Sequence, residues 1–322
     1  RSAGNAVRTC RTVSRIGATR IAAKRVAPAR EIYAQMGGGS PLRALTEAQA
    51  VALETALRSL LPATEARCFI AMRYWHPFAA ETMRAVRDFA PDDVLLLPLY
   101  PQFSTTTTGS SLADWRRAAA RAGLVAPVTT LCCWPADPGY VEAEAALLRE
   151  TLARAEASLP AATRLRILFS AHGLPEVIVR RGDPYQAQVE QTVAAIAAAL
   201  GRPEIEHRVC YQSRATPQKW LEPSTEAEIA AAGQEGVALV VLPVAFVSDH
   251  SETLVELDRD YHELARRAGV PGYFRVPAAN DDPRFITALA GIAAAALGRG
   301  PGLVSARGPR ICPAGCARCP HR

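Results

Sequence analysis

Val237-Ala-Leu-Val-Val-Leu-Pro-Val-Ala-Phe-Val247 runs without a charged residue into Ser248-Asp-His-Ser-Glu252, and that change of character sets the reading of the whole chain. An uncharged, Val- and Leu-rich run suits a strand covered on both faces, as parallel sheets require, and the polar turn after it marks a strand exit. Strand-like apolar runs bounded by polar or turn residues also occur at Arg67–Met72, Val94–Leu99, Arg166–Ala171, Ile205–Tyr211 and Tyr273–Val276. Helical patterns lie between them near 42–60, 79–89, 111–122, 139–158, 184–200, 224–233, 251–268 and 283–297. Such alternation predicts βαβ units with right-handed crossovers. The expected fold is α/β, with two Rossmann-like doubly wound parallel-sheet lobes. They span 24–160 and 161–282, parted at the polar, Pro-containing stretch Ser158–Arg164. A C-terminal helix at 283–300 and a cysteine-containing tail at 301–322 follow, and residues 1–23 stand apart as an atypical basic segment.

The 322 residues, 49% hydrophobic, can build such cores, which excludes global disorder. No run approaches the roughly 18 apolar residues of a spanning helix, so a soluble protein is expected. The net charge of +6 raises the question of a nucleic-acid partner. Eight of the 37 basic residues lie in residues 1–30, which hold no acid, leaving 29 against 31 acids in the rest. The body therefore does not read as a polyanion binder. The basic start resembles a transit peptide, lacks the apolar core of a secretory signal, and is read in preference as a truncated or artefactual start. Eight cysteines spread over this length suggest a reducing, cytoplasmic compartment.

Ligands of open parallel sheets bind beyond the carboxyl ends of strands, so the residues after each run carry the chemistry. His172 follows Phe169-Ser-Ala and is held by Gly173 and Pro175. It is either a histidine satisfied by backbone or a proton acceptor or metal ligand working near neutral pH. Beyond Val247, Leu254, Leu257, Tyr261 and Leu264 fall at core spacing for an α-helix. Asp249, Glu252, Glu256, Asp260 and Glu263 form a carboxylate row on another face. That row is either a solvated acidic face or a route for a hard cation or protons. Gln102–Ser111 could bind an anion or simply cap a turn, and Arg116 and Arg117 could pair with a substrate carboxylate or stay on the surface. No Gly-rich nucleotide signature is present.

Tyr33-Ala-Gln-Met-Gly-Gly-Gly-Ser-Pro-Leu, Met72-Arg-Tyr-Trp-His-Pro, Leu97-Pro-Leu-Tyr-Pro-Gln-Phe-Ser and Thr107-Thr-Gly-Ser-Ser resemble, in order, motifs of the ferrochelatases. So do Phe169-Ser-Ala-His-Gly-Leu-Pro, Arg181-Gly-Asp-Pro-Tyr, Tyr211-Gln-Ser-Arg, Trp220-Leu-Glu-Pro-Ser-Thr and Leu242-Pro-Val-Ala-Phe-Val-Ser-Asp-His-Ser-Glu-Thr. The resemblance covers about 24–300 and implies a class II chelatase fold with a porphyrin cleft between the lobes. It implies insertion of ferrous iron, as substrate, into protoporphyrin IX, giving protohaem and two protons with no organic cofactor. By the same resemblance His172 and Glu252 are catalytic and metal-binding, and Asp249, His250, Glu256 and Asp260 form a proton or metal path. Tyr33, Arg117, Tyr211 and Trp220 are implied to bind porphyrin. Many members carry a [2Fe–2S] cluster on cysteines, which here would be Cys312, Cys316 and Cys319 with Cys132 or Cys133; a structural zinc or free thiols are the other readings.

Members of that family normally open with a strand and a Leu-Gly-Gly-Pro-like turn, and nothing like it precedes Lys24. The expectation is an incomplete reading frame, less stable or less active than a full-length relative. A coproporphyrin or cobalt chelatase of the same fold and a non-catalytic porphyrin or haem carrier stay open at this point. Peripheral contact with the inner membrane and the oligomeric state are left open too.

Overall fold

The computed structural model describes residues 30–214, 217–308 and 310–321. The expectations for residues 1–23 lie outside them.

Two parallel sheets organise these residues. The first is built from β1 (Val94–Leu96), β2 (Val128–Leu131) and β7 (Gly302–Val304), in the order β1-β2-β7. Helices α1 (Leu42–Leu60) and α2 (Ala79–Phe89) precede β1, and α3 (Thr108–Ala122) connects β1 to β2. Helix α4 (Pro138–Ser158) leads into the second sheet, capped by Asp137, whose side chain accepts from Gly139 and Tyr140 N–H. The second sheet contains β3 (Leu165–His172), β4 (Glu206–Gln212), β5 (Ala238–Leu242) and β6 (Tyr273–Arg275), in the order β4-β3-β5-β6. The short α5 (Glu176–Arg180) and α6 (Tyr185–Leu200) join β3 to β4, and α7 (Thr225–Glu235) joins β4 to β5. A π-helix (Glu252–Tyr261) and α8 (His262–Ala268) join β5 to β6, and α9 (Pro283–Leu297) packs across α1 and α4 before β7.

The strand order positions the site. β4 and β5 lie on opposite sides of β3, so the connections leaving β3 and β5 diverge at their carboxyl ends. Divergence of this kind opens a crevice at a topological switch point. His172 is the last residue of β3, and β5 leads to Glu252.

Several elements differ from the sequence reading. The run 67–72 forms no strand: apart from a single bridge from Met72 to Phe78 it pairs with nothing among the described residues. A parallel strand needs a neighbour for its N–H and C=O groups, and the described part of β1 pairs only with β2. β5 stops at Leu242 because Pro243 offers no N–H to the ladder. The tail, read as a separate segment, returns to the first sheet through β7. The segment after Ser251 is α-helical only from His262 onward. Its first ten residues make i→i+5 bonds, which changes the spacing of a face.

One buried acid in this framework has a measurable consequence. Glu144 on α4 is 2% exposed, and burial, aided by the charge of Asp282, pushes its carboxyl up to about 8. A raised folded-state value means stability that is fully present below the unfolded value, near 4.5, and lost as pH rises through about 8. Glu144→Gln keeps the shape of the protonated acid. It is expected to raise stability at pH 8 by on the order of 2 kcal/mol and to change it little at pH 4. Urea melts of both proteins at the two pH values check this.

Candidate active site

A cleft of about 2000 Å³ runs from the carboxyl ends of β3 and β5 toward α1 and β1. His172, His250, Glu252, Phe246, Tyr33, Arg73, Tyr74, Tyr100 and Trp115 line it.

His172 is held rather than free to swing. Its Nδ1 lies 2.7 Å from the carbonyl oxygen of Gly173. A carbonyl can only accept, so Nδ1 carries the proton and the neutral ring keeps its lone pair on Nε2. That nitrogen has no hydrogen-bond partner among the described residues. Tyr185 OH donates to the carbonyl oxygen of His172 at 3.0 Å, fixing the strand end. Gly173 lets the chain turn here. A Cβ would stand 2.7 Å from Gln212 O and 3.1 Å from the Trp220 ring.

Glu252 and His250 form an ion pair, Nε2 to Oε2 at 2.9 Å. Ser251 Oγ donates to the same oxygen at 2.8 Å, and His250 Nδ1 lies 2.9 Å from Ser248 O. Both ring nitrogens of His250 thus face acceptors, which requires an imidazolium. Burial disfavours that charge, but the hydrogen bond and charge of Glu252 outweigh it and raise the His250 value. Reciprocally, burial pushes Glu252 up and His250 holds it down, to about 2. The Phe246 ring approaches both histidines, with centroids 6.3 Å from His172 and 4.9 Å from His250. An imidazole with an open lone pair and an ionised carboxylate therefore share one half-buried wall.

The other implied path residues stand behind this wall. Asp249 accepts from Arg275 Nη1 (2.9 Å) and Asn280 Nδ2 (2.8 Å). Glu256 accepts from Gln212 Nε2 (3.1 Å), the Ser213 N–H (2.8 Å) and hydroxyl (2.5 Å), and Tyr261 OH (2.8 Å). Asp260 is exposed. None of these three lines the cleft.

Of the four residues implied to bind porphyrin, only Tyr33 lines the cleft, at its mouth. Arg117 does not line the cleft but pairs with Asp114 (2.9 Å), which does, as does Trp115. Tyr211 and Trp220 are buried, Tyr211 in the main core and Trp220 against Gly173. Arg73 and Tyr74 were given no role by the sequence reading. Arg73 Nε donates to Ser110 Oγ (2.9 Å), and its guanidinium lies 4.8 Å from the Tyr74 ring centre. The available signal was an Arg-Tyr-Trp triplet in a chain with 6% aromatics.

A second cluster gathers thiols. Cys132 and Cys133, at the end of β2, have sulfurs 3.0 Å apart. They are buried with Phe103 beside Leu303 and Ile311. Gln188 Nε2 donates to Cys312 Sγ at 3.1 Å. The Cys132–Cys133 contact splits the two thiols, with Cys132 pushed up by the bond to Cys133, by burial, and by the charges of Cys319 and Cys312. Burial and the bond to Cys319 push Cys312 up to about 12. Cys316 is half-exposed, raised by burial and by the charge of Cys319. Among the described residues, no three His, Cys, Asp or Glu side chains are already arranged around a metal position.

Comparison with known proteins settles the family. The Ferrochelatase family model matches residues 4–297. The chain belongs to the ferrochelatase family. A ferrochelatase of Caulobacter vibrioides is 51% identical over 302 residues, covering 94% of this chain and 85% of the relative. A ferrochelatase of Phenylobacterium zucineum is 52% identical over 291 residues, covering 90% of this chain and 82% of the relative. Among solved structures, SirB from Bacillus subtilis with Fe3+ superposes with a TM-score of 0.55 at 14% identity, covering 79% of this chain and 92% of SirB. That likeness supports the chelatase fold alone. Ferrochelatases are metal chelatases, and the His172–Glu252 wall lies where a doubly wound fold opens its ligand crevice.

Proposed function

We propose that the cleft binds protoporphyrin IX and that His172 and Glu252 direct ferrous iron into it, yielding protohaem and two protons. The observation that carries this reading is the open Nε2 of His172 sharing a cleft wall with the ionised Glu252, in a chain of the ferrochelatase family. Metallation exchanges two pyrrole N–H protons for one Fe²⁺. His172 Nε2 accepts a pyrrole proton, and its tautomer is fixed for that by the Gly173 carbonyl. Glu252 draws the cation to the ring, and the hydrogen-bonded carboxylates Asp249 and Glu256 add negative potential behind it, with Asp260 at the exposed end of the path.

The aromatic wall of Tyr33, Tyr74, Tyr100, Trp115 and Phe246 suits a flat tetrapyrrole. Arg73 suits a propionate, as a guanidinium that reaches into the cleft with Ser110 beside it. Tyr74 and Trp75, 72% and 65% exposed at the mouth, support peripheral contact with a membrane, from which an apolar porphyrin could enter. No helix among the described residues is long and apolar enough to cross one. Anaerobic insertion of Fe²⁺, Zn²⁺ and Co²⁺ into protoporphyrin IX and coproporphyrin III tests the reading. Faster turnover of protoporphyrin with Fe²⁺ is expected, and a preference for coproporphyrin or Co²⁺ contradicts it.

The thiols of the second cluster suit an iron–sulfur centre in donor type, and the reading is supported by Cys312 and Cys319 of the tail lying near enough to the Cys132–Cys133 pair to influence it, with Cys316 beside Cys319. Cys312, Cys316 and Cys319 would hold a [2Fe–2S] cluster with Cys133, whose thiolate is favoured by the S–H of Cys132 and by Gln188. Such a centre would supply one-electron chemistry or tie the tail to β2. Anaerobically purified protein is expected to hold about two irons and two acid-labile sulfides per chain, with visible charge-transfer bands lost in Cys319→Ser. Stoichiometric zinc without sulfide would refute the cluster.

A further inference from the structure

The turn 248–251 delivers His250 and Glu252 to the cleft, yet the π-helix it begins has no side-chain cap. Thr253 Oγ1 accepts the His250 N–H (2.9 Å) and closes the turn locally; what ties it to the rest of the fold comes from distant parts of the chain. Asn280, in the turn before α9, donates from Nδ2 to Asp249 Oδ2 and accepts the Asp249 N–H on Oδ1, both at 2.8 Å. Its own N–H donates to Val247 O at 2.9 Å, and its carbonyl accepts from Gln49 Nε2 at 2.8 Å. Gln49 sits on α1, donates also to Val247 O (3.1 Å), and accepts from Ser248 Oγ (3.2 Å). Arg275 takes the other Asp249 oxygen through Nη1 at 2.9 Å. It grips Asp258, within the π-helix, through Nε and Nη2 at 2.5 and 2.9 Å.

Two features single out Asn280 in this network. Its φ of +45° is a left-handed conformation that asparagine tolerates better than most residues. Every polar group it owns is spent on the 247–249 stretch or on Gln49, which bonds the same stretch. A glycine would fill the backbone requirement but make neither side-chain bond.

We propose that Asn280, with Arg275, is a positioning residue for metal insertion. It fixes Asp249 as an anchor and so determines where His250 and Glu252 stand on the cleft wall they share with His172. Both oxygens of Asp249 are engaged, which makes that carboxylate a structural pin rather than an open ligand for the cation. The inference rests on the insertion activity proposed above and narrows it, because it removes Asp249 from the route taken by iron and assigns that route to Glu252.

Asn280→Gly separates the side-chain bonds from the backbone, since glycine adopts the φ of +45° without strain. In anaerobic kinetics of the full chain, kcat is expected to fall about tenfold and the KM for Fe²⁺ to rise several-fold, with the porphyrin KM within about twofold of the parent. Amide exchange should quicken over 247–256 and stay unchanged in β3. Asn280→Asp keeps the acceptor for the Asp249 N–H but sets carboxylate against carboxylate, and should lose more turnover than the glycine variant. Parent-like kinetics and exchange in Asn280→Gly would overturn the proposal. So would equal damage to the porphyrin KM with faster exchange throughout the sheet, the mark of a general structural role. A parent chain that inserts no iron defeats the proposed function instead, and exchange over 247–256 in the variants still decides whether Asn280 holds the turn.

Discussion

Replacing His172 by alanine is expected to reduce iron insertion by at least about 100-fold while leaving porphyrin affinity within a few-fold of the parent. The large effect follows from the tautomer. Nδ1 is committed to the Gly173 carbonyl, so Nε2 is the open base that this residue offers to the cleft. Alanine removes that base without creating a charge. His172 is a half-buried residue at a strand end, so its truncation should leave the fold intact. Porphyrin fluorescence quenching measures binding, and anaerobic turnover measures insertion. If both fall together, the histidine shapes the pocket and the proton-acceptor role is wrong.

Glu252→Gln is expected to lower turnover by a comparable factor, with the loss concentrated in the use of metal. Glutamine fills the same space but cannot be an anion, so a divalent cation loses its charged partner on the wall. The neighbour changes too. His250 is raised by its bond to Glu252, and an amide facing its Nε2 removes that cause, so the imidazole is expected to become neutral at lower pH. The parent carboxyl is depressed to about 2, so its contribution is present above the unfolded value near 4.5 and lost only as pH falls through about 2. Parent turnover should therefore not decline between pH 7 and 5 through protonation of Glu252. Rates at saturating porphyrin, across a range of Fe²⁺ and across that pH window, check both statements. An unchanged KM for Fe²⁺ would show that the cation enters by another route.

The centre of this site was legible because it sits at the exits of the two strands that are easiest to read. β3 and β5 are nearly uninterrupted apolar runs, and the polar residues after them stand out by contrast. The carboxylate row was legible in composition and not in geometry. Placing it by α-helical spacing missed the i→i+5 bonding of Glu252–Tyr261, a consequence of packing that a local pattern does not encode. Arg117 and Trp115 lie two positions apart on α3, and which of them faces the cleft depends on how that helix is rolled against its neighbours. Tyr211 and Trp220 have the types of ring-binding residues; in the folded chain Tyr211 is buried in the main core and Trp220 packs against Gly173. β7 was not legible because Gly302-Leu-Val, straight after Gly300-Pro301, carries no strand signal of its own, and only β2 makes it one.

Asn280 shows a second kind of illegibility. It lies 31 positions from Asp249 in sequence, and its left-handed backbone and two side-chain bonds exist only once β6 and α9 have been placed beside the turn. Gln49, which bonds the same turn from α1, is further still in sequence.

The most direct measurement is anaerobic insertion of Fe²⁺ into protoporphyrin IX by residues 1–322, followed as the appearance of the protohaem spectrum, with His172→Ala run beside it. Turnover by the parent chain and its loss in the variant, with porphyrin still bound, is the expected result. Porphyrin bound by both proteins with no metal entering from Fe²⁺, Zn²⁺ or Co²⁺ would contradict it and leave a carrier.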